Sequence, residues 1–236
     1  MSDAYTWLIT GTSRGIGLEL VRQLIADPSN VVVATCRDPN NAPALQALQS
    51  EAKGELYIIP LDIADEASIR NSAKVVGEIL GYRGLDYLWN NAAINEGDDS
   101  AFNFSYSGFL ETLKANVAGP ALMGQVYLPF LEQGKRKVII NTSSGLASIG
   151  IDFGAKNATY SVSKTALNMI AYKQAKARPD LISYVVDPGW VKTDMGGPDA
   201  MMEPEESVRG QLKLAKSASS ANSGKFYRHN GEEIVW

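Results

Sequence analysis

Short runs of β-branched and aliphatic residues alternate along the chain with longer segments whose apolar positions recur at helical spacing. The runs predict seven strands: Tyr5 to Thr10, Val31 to Cys36, Glu55 to Pro60, Leu85 to Asn90, Lys137 to Thr142, Leu181 to Asp187 and Glu232 to Trp236. Such alternation is typical of a parallel sheet that helices cover on both faces. The pattern therefore predicts an α/β fold with one doubly wound, seven-stranded parallel sheet.

The segments between the strands have apolar residues three and four positions apart, and several begin with Asp, Ser or Pro, as amphipathic helices do. They predict helices over Gly15 to Ala26, Ala44 to Ala52, Asp65 to Leu80, Gly108 to Leu131, Tyr160 to Ala177 and Pro204 to Lys216. No internal repeat or linker divides the 236 residues. We therefore expect a single Rossmann-type domain over residues 1–236, with the ligand-binding loops included.

Composition excludes several classes of protein. The formal net charge is −4 and the basic residues form no block, so we expect neither nucleic acid nor an anionic membrane as a partner. One cysteine and one histidine exclude an internal disulfide and predict no metal site. The chain starts without a signal peptide and has no run of about 18 apolar residues. We expect a cytoplasmic protein that acts on a small molecule.

Three glycines lie in the predicted turn between the first strand and the first helix, within Gly11-Thr12-Ser13-Arg14-Gly15-Ile16-Gly17. Glycine lets the backbone approach a pyrophosphate, and a helix N-terminus adds free N–H groups and a partial positive charge. An ordinary strand-to-helix turn is the other interpretation. As a nucleotide site, the turn would bind through Gly11, Ser13, Arg14, Gly15, Ile16 and Gly17.

The end of the second strand predicts which nucleotide binds. Arg37 offers a planar guanidinium for a ribose 2′-phosphate, and Arg14 could approach the same group from the glycine turn. We therefore predict NADPH (NADP+), although Asp38 could instead serve NADH, and either Arg could simply be a solvated surface residue. After the third strand, Asp62 could accept a hydrogen bond from the adenine amino group. A helix cap is its alternative role, for which Asp65 is better placed.

Three residues in the second half of the chain have the chemistry that carbonyl reduction requires, namely a proton for the oxygen atom while hydride reaches the carbon. Tyr160 can donate the proton. Lys164, one helical turn later, can lower the pKa of the phenol with its charge and can reach the nicotinamide ribose. Ser144, after the fifth strand, can hold the substrate oxygen. Each residue alone is commonplace, but the three together, in this order, predict a carbonyl reductase.

These motifs give the chain a family resemblance. The glycine turn, Asn90-Asn91-Ala92-Ala93, Asn141-Thr142-Ser143-Ser144, Tyr160-Ser161-Val162-Ser163-Lys164 and Asp187-Pro188-Gly189-Trp190-Val191-Lys192-Thr193 occur in that order. Together they resemble the short-chain dehydrogenase/reductase family, from Thr10 to Trp236. The stretch from Gly189 to Gly197 is most similar to the Sniffer and C-factor subgroup of carbonyl reductases.

The resemblance implies further roles. Asn116 would complete a catalytic tetrad with Ser144, Tyr160 and Lys164, bending its helix and holding a relay water. The remaining cofactor contacts would come from Asn91, Ala92, Pro188, Gly189, Val191 and Thr193, of which the last two grip the nicotinamide carboxamide. Ala93 stands where the family has Gly. The helices predicted at Gly108 to Leu131 and Tyr160 to Ala177 would form the seam of a homodimer.

Three predicted loops, Asn95 to Ser107, Gly145 to Thr159 and Gly189 to Glu203, follow strands and should form the walls of the pocket. They contain large apolar side chains, which favour an apolar or aromatic ketone, aldehyde or quinone. These are Phe102, Phe104, Tyr106, Phe153, Trp190, Met195, Met201 and Met202. A position on the surface or in the core is the alternative for each. Two other functions stay open: an alcohol dehydrogenase or biosynthetic ketoreductase with one substrate, and an NADPH-binding signalling protein.

Overall fold

The computed structural model describes residues 4–236, which contain one parallel sheet in the strand order β3-β2-β1-β4-β5-β6-β7. The strands are β1 (Thr6–Thr10), β2 (Val31–Cys36), β3 (Glu55–Pro60), β4 (Tyr87–Asn90), β5 (Val138–Thr142), β6 (Ile182–Asp187) and β7 (Phe226–Arg228). This confirms the predicted fold class. Because the direction of strand addition reverses between β1 and β4, a crevice opens there at the carboxyl ends of the strands.

Seven helices connect the strands of the described chain. They are α1 (Gly15–Ile25), α2 (Pro43–Glu51), α3 (Glu66–Leu80), α4 (Tyr106–Leu113), α5 (Gly119–Gln133), α6 (Ala158–Ala177) and α7 (Pro204–Ser217). A π-helical turn, Lys114–Ala118, joins α4 to α5, and a 3₁₀ turn, Gly145–Ala147, follows β5. Between residues 4 and 236, no helix combines the length and apolar character that crossing a bilayer requires.

The central strands are buried on both faces because successive side chains point to opposite sides of the sheet. In β1, Trp7 and Ile9 join the apolar cluster that includes α1, α2 and α7. Leu8, between them, joins Val33 of β2 in the cluster formed with α3 and α5. The helices thus occupy both faces of the sheet, and the loops at its carboxyl edge are left to build a site.

The prediction for the last strand is wrong. The strand lies at Phe226–Arg228 and pairs in parallel with β6, whereas the predicted segment, Glu232 to Trp236, turns back beside it. Phe226 is fully buried at this edge of the sheet, while Val235 is 60% exposed. The apolar run at 234–236 has strand-like composition, but the earlier pair of aromatic residues fills the space next to β6.

The helix predicted from Gly108 to Leu131 is also not continuous. It begins two residues earlier, at Tyr106, and widens into the π turn before α5 begins at Gly119. Ser105 caps its start by accepting a hydrogen bond from the Gly108 N–H at 3.1 Å. A π turn changes the helical register by one residue without changing the hydrophobic pattern much, so spacing alone does not reveal it.

Candidate active site

The predicted proton donor lies in the first turn of α6, beside the end of β5. Tyr160 is 8% exposed and Lys164 is 2% exposed. The Lys164 ammonium Nζ donates a hydrogen bond to the Thr142 carbonyl oxygen at 2.8 Å and lies 5.7 Å from the centroid of the Tyr160 ring. This contact ties the middle of α6 to the last residue of β5. The Tyr160 hydroxyl makes no hydrogen bond to residues 4–236, so it is available to another molecule.

Ser144 begins the 3₁₀ turn after β5. Its hydroxyl oxygen accepts a hydrogen bond from the Leu146 N–H at 3.2 Å, and its side chain is half-buried. The last residue of the turn, Ala147, accepts a hydrogen bond from the Thr165 hydroxyl of α6 at 3.0 Å. The turn that carries Ser144 is therefore attached to the helix that carries Tyr160.

Asn116 lies in the π turn and is fully buried. Its Nδ2 donates hydrogen bonds to the Ile94 carbonyl oxygen at 2.8 Å and to the Ser163 hydroxyl at 3.0 Å, and its Oδ1 accepts from the Ile94 N–H at 2.9 Å. The side chain thus joins the π turn, the loop after β4 and α6. A π turn also leaves backbone carbonyl oxygens without their usual helical partners, and such an oxygen can accept a hydrogen bond from a relay water.

Burial dominates the electrostatics of the Tyr160 and Lys164 pair. Burial raises the pKa of the Tyr160 phenol above its ordinary value, and the charge of Asp187 raises it further. Burial lowers the pKa of the Lys164 ammonium from 10.5 to about 7. The shift of the Tyr160 pKa is opposite to the lowering that we predicted, because burial of the phenol and the charge of Asp187 both raise it. Tyr160 therefore keeps its proton at neutral pH.

The glycine turn has the geometry of a phosphate cradle. Gly11 and Gly15 have φ angles of 70° and 57°, a region that favours glycine. A Cβ atom on Gly17 would lie 2.1 Å from the Gly11 carbonyl oxygen. No side chain caps the start of α1, where Arg14 is the N-cap residue, and no acidic residue lies in its first turn. Backbone N–H groups and the positive end of α1 are thus open to an anion.

The other members of the turn contribute differently. The Ser13 side chain is half-buried beside the turn, and Ile16 packs its side chain against the core, which leaves only its backbone for a ligand. Arg14 is exposed and forms an ion pair with Asp194 at 2.9 Å. Since both side chains are more than 70% exposed, this pair is weak and a phosphate could replace Asp194 as the partner of Arg14.

The residues predicted to select the nucleotide lie at the end of β2. Arg37 is exposed, and within residues 4–236 it has no ion-pair partner. The Asp38 carboxylate, the competing prediction, accepts a hydrogen bond from the Asn40 N–H at 3.1 Å and so caps a local turn. Asp62 accepts one from the Ala64 N–H at 2.9 Å, while Asp65 caps α3 as predicted. The carboxylates are thus engaged locally, and Arg37 is free for a phosphate.

Asn91 and Ala92 brace the sheet beside the glycine turn. Asn91 Nδ2 donates to the carbonyl oxygens of Thr10 and Gly11 at 3.0 and 3.2 Å. The backbone N–H groups of Asn91 and Ala92 both donate to the Thr10 hydroxyl oxygen at 3.0 Å. Sequence reasoning missed this role of Thr10, because its partners lie about eighty residues away and no local pattern indicates them.

The loop after β6 reaches the glycine turn. Gly189 has a φ of 81°, and its N–H donates to the Asp187 carboxylate at 3.1 Å. The Thr193 hydroxyl donates to the Val191 carbonyl oxygen at 3.3 Å, and a Cβ atom on Gly15 would lie 3.2 Å from the Thr193 methyl group. Pro188 is buried and accepts a hydrogen bond from Ser207 at 2.6 Å. The predicted carboxamide segment and the predicted phosphate cradle therefore face each other.

The apolar residues predicted for the pocket walls are exposed rather than packed in the core. They include Phe102, Phe104, Tyr106, Phe153, Trp190, Met195 and Met201, whereas Met202 is half-buried. Trp190 is held by its indole N–H, which donates to the Gly196 carbonyl oxygen at 2.7 Å. For the seven exposed residues, the structure excludes core packing, and their exposure fits a pocket wall and an ordinary surface position alike.

These residues form a site that fits a nicotinamide dinucleotide. The turn between Gly11 and Gly17 leads into the uncapped N-terminus of α1, whose N–H groups can bind a pyrophosphate, and Arg37 offers a free cation for the 2′-phosphate. At the other end, Thr193, Lys164 and Tyr160 offer hydrogen-bonding groups. Chemically, the arrangement can hold a dinucleotide and present a protonated phenol to a polar group.

Comparisons with known proteins agree with this geometry. A model of the short chain dehydrogenase family matches residues 6–203. An uncharacterised oxidoreductase of Schizosaccharomyces pombe is 30% identical over 247 residues, covering 97% of this chain and 96% of the relative. The carbonyl reductase Sniffer of D. melanogaster has a TM-score of 0.94 at 26% identity, covering 100% of both chains. The NADPH-bound carbonyl reductase from chicken fatty liver has a TM-score of 0.94 at 34% identity, covering 100% of this chain and 96% of that chain.

Proposed function

The chain belongs to the short-chain dehydrogenase family, and from this premise we propose that it is an NADPH-dependent carbonyl reductase with Tyr160 as proton donor. The observation that carries the proposal is the junction of α6 with the end of β5. There, Tyr160 and Lys164 are buried, Lys164 contacts Thr142 two residues before Ser144, and the glycine turn opens at the same edge of the sheet. A protein that only binds a nucleotide has no use for a buried phenol paired with a buried amine.

Tyr160 and Ser144 act on the substrate oxygen. When bound, NADPH supplies the hydride that reduces the carbonyl carbon. The Ser144 hydroxyl donates a hydrogen bond to the carbonyl oxygen and orients it toward Tyr160. Tyr160 transfers its phenolic proton to the oxygen as negative charge develops there. Because burial raises the pKa of Tyr160, the phenol is fully protonated at neutral pH, which is the form that reduction consumes.

Lys164 returns a proton to Tyr160, and Asn116 positions the path by which Lys164 regains it. Lys164 has a pKa lowered to about 7, so near neutral pH it can both release and accept a proton at Nζ. Its hydrogen bond to the Thr142 carbonyl oxygen holds Nζ below the phenol ring. Asn116 fixes the π turn against α6, where a water molecule could continue the path to solvent. The chain therefore offers a route by which the phenolate is reprotonated.

The free guanidinium of Arg37 supports NADPH rather than NADH as the cofactor, and the structural similarity to an NADPH-bound carbonyl reductase agrees with it. The local hydrogen bond of Asp38 argues against a carboxylate that serves a ribose 2′-hydroxyl. Arg14 would be the second cation for the 2′-phosphate, after it leaves Asp194. Asp62 remains the proposed partner of the adenine amino group through its second carboxylate oxygen.

The exposed aromatic and methionine side chains around the site favour an apolar or aromatic carbonyl compound as substrate. Phe102 and Met201 are almost entirely solvent-exposed, so they can pack against a bound molecule without disturbing the core. Methionine adapts to many shapes, which favours broad specificity over a single dedicated substrate. We place this activity in the cytoplasm.

We also propose a homodimer. Leu110 of α4 and Val162 and Met169 of α6 are about half exposed, and a partner subunit would cover them. This surface belongs to the helices that were predicted from sequence to form the seam. Sedimentation at several protein concentrations tests it, and a species of one chain at all concentrations would contradict the dimer.

The function is tested by following NADPH absorbance with a panel of unrelated ketones, aldehydes and quinones. Turnover of several members supports a broad carbonyl reductase, and turnover of only one supports a dedicated ketoreductase or alcohol dehydrogenase. Tight NADPH binding with no turnover of any member would instead support a signalling protein. Repeating the assay with NADH tests the role of Arg37.

A further inference from the structure

Helix α6 carries Tyr160 but has no cap of its own. Its N-cap residue, Asn157, has a left-handed backbone with φ 56° and ψ 41°, and its side chain caps no N–H group. Instead, Asn157 Oδ1 accepts a hydrogen bond from Asn95 Nδ2 at 3.2 Å. The first turn of a helix has N–H groups without helical partners, and acidic side chains in that turn often accept hydrogen bonds from them. The first turn of α6 contains no acidic residue.

Asp99, from the loop between β4 and α4, takes the place of this cap. The Thr159 N–H donates to both oxygens of the Asp99 carboxylate at 3.3 Å. The Thr159 hydroxyl also donates a hydrogen bond to Asp99 Oδ2. Thr159 is 5% exposed and directly precedes Tyr160. A carboxylate from a distant loop thus holds both polar groups of the residue next to the proton donor.

The same loop forms one wall of a cavity. The cavity has a volume of about 250 Å³, and its lining includes Asp99, Phe104 and Phe109 from the loop and helix after β4, and Thr159 from α6. Phe104 and Phe109 pack edge to face, with their ring centroids 5.6 Å apart. Asp99 therefore fastens the loop after β4 directly to the residue that precedes Tyr160.

We propose that Asp99 is a positioning residue that holds the first turn of α6 and thereby sets where the Tyr160 hydroxyl lies in the site. The proposal rests on the proposed function, because it assigns Tyr160 as the proton donor. A negative charge at a helix N-terminus is favourable, so the same contact stabilises the helix. The effect on the reaction follows from geometry, since a proton donor that is displaced by about 1 Å loses much of its effectiveness.

Asp65 provides the matched control. It caps α3 by accepting a hydrogen bond from the Ala67 N–H at 2.9 Å, and α3 carries none of the residues assigned to the site. Asp65→Ala therefore removes the same kind of cap from a helix without a catalytic role. It should lower stability and leave kcat unchanged, which separates positioning from a general loss of stability.

The test compares Asp99→Ala, Asp99→Asn and Asp65→Ala in the full chain. We expect Asp99→Ala to lower kcat at least about tenfold while the Kd for NADPH stays unchanged. Amide hydrogen exchange in the first turn of α6 should become roughly fivefold faster, the loss expected for one helix cap. Asp99→Asn retains an acceptor oxygen for the Thr159 N–H, so it should recover most of kcat.

Two results would overturn the proposal. One is a kcat for Asp99→Ala that matches that of Asp65→Ala, and the other is unchanged hydrogen exchange at residues 158–163. If the unmodified protein reduces no carbonyl compound, the proposed function fails by itself. Hydrogen exchange in Asp99→Ala then still decides whether Asp99 holds the first turn of α6.

Discussion

Replacement of Lys164 by Met should change how the stability of the protein depends on pH. The ammonium group is 2% exposed, and burial lowers its pKa from 10.5 to about 7. Between these two values the unfolded chain binds a proton that the folded chain has released. The free energy of unfolding therefore rises with pH across this window, and the unfavourable contribution is fully present below about pH 7.

The size of the effect follows from the pKa shift. At about 1.4 kcal/mol per pKa unit, the burial of charged Lys164 lowers stability by about 5 kcal/mol at pH below 7. Met has a similar apolar stem but no charge, so Lys164→Met removes this contribution. It also leaves the Thr142 carbonyl oxygen without its partner, which costs about 1 to 3 kcal/mol at every pH. Because the lost hydrogen bond acts equally at every pH, the change of the stability difference with pH reports the buried charge of Lys164 alone.

Urea unfolding at about pH 6 and pH 9 measures the pH-dependent part of this stability difference. The advantage of Lys164→Met over the unmodified protein should shrink by about 3 kcal/mol from the lower to the higher pH. Lys173 is exposed on the same helix, so Lys173→Met is the matched control and should show no such change. A difference between Lys164→Met and the unmodified protein that stays constant with pH would refute the reasoning.

Three further substitutions test other parts of the site. Gly17→Ala should weaken NADPH binding at least about tenfold, because its Cβ would lie 2.1 Å from the Gly11 carbonyl oxygen and would distort the turn. Fluorescence titration measures the Kd, and an unchanged Kd would show that the glycine turn does not bind the cofactor. Arg37→Ala should raise KM for NADPH by roughly 10- to 100-fold and leave KM for NADH unchanged, whereas an equal rise for both would contradict its role. Asp187→Asn should move the basic limb of the pH profile of reduction to lower pH, since the carboxylate raises the pKa of Tyr160 and reduction needs the protonated phenol. An unmoved limb would show that Asp187 does not act on Tyr160.

The sequence predicted the features that depend on local pattern. Strands β1 to β6 were found because each is a short apolar run between helical segments, and the glycine turn because Gly11 and Gly15 have backbone angles that favour glycine. Ser144, Tyr160 and Lys164 were found because each has a fixed position relative to a strand or helix. These signals need only a few neighbouring residues.

Other features depend on contacts between distant segments and could not be predicted in the same way. The predicted position of β7 was wrong because the segments that contain Phe226 and Trp236 are both rich in large apolar residues. Only packing against β6 decides which of the two segments enters the sheet. The pKa of Tyr160 was predicted to fall, yet it rises, because charge spacing along a helix says nothing about burial. The cap that Asp99 provides for α6 comes from sixty residues away.

The central claim is that Tyr160 donates the proton in carbonyl reduction. Tyr160→Phe removes one oxygen atom from a buried ring and makes no new contact. With saturating NADPH and a carbonyl compound that the unmodified protein reduces, kcat should fall about 10²- to 10⁴-fold while NADPH binding is retained. Turnover equal to that of the unmodified protein would contradict the claim.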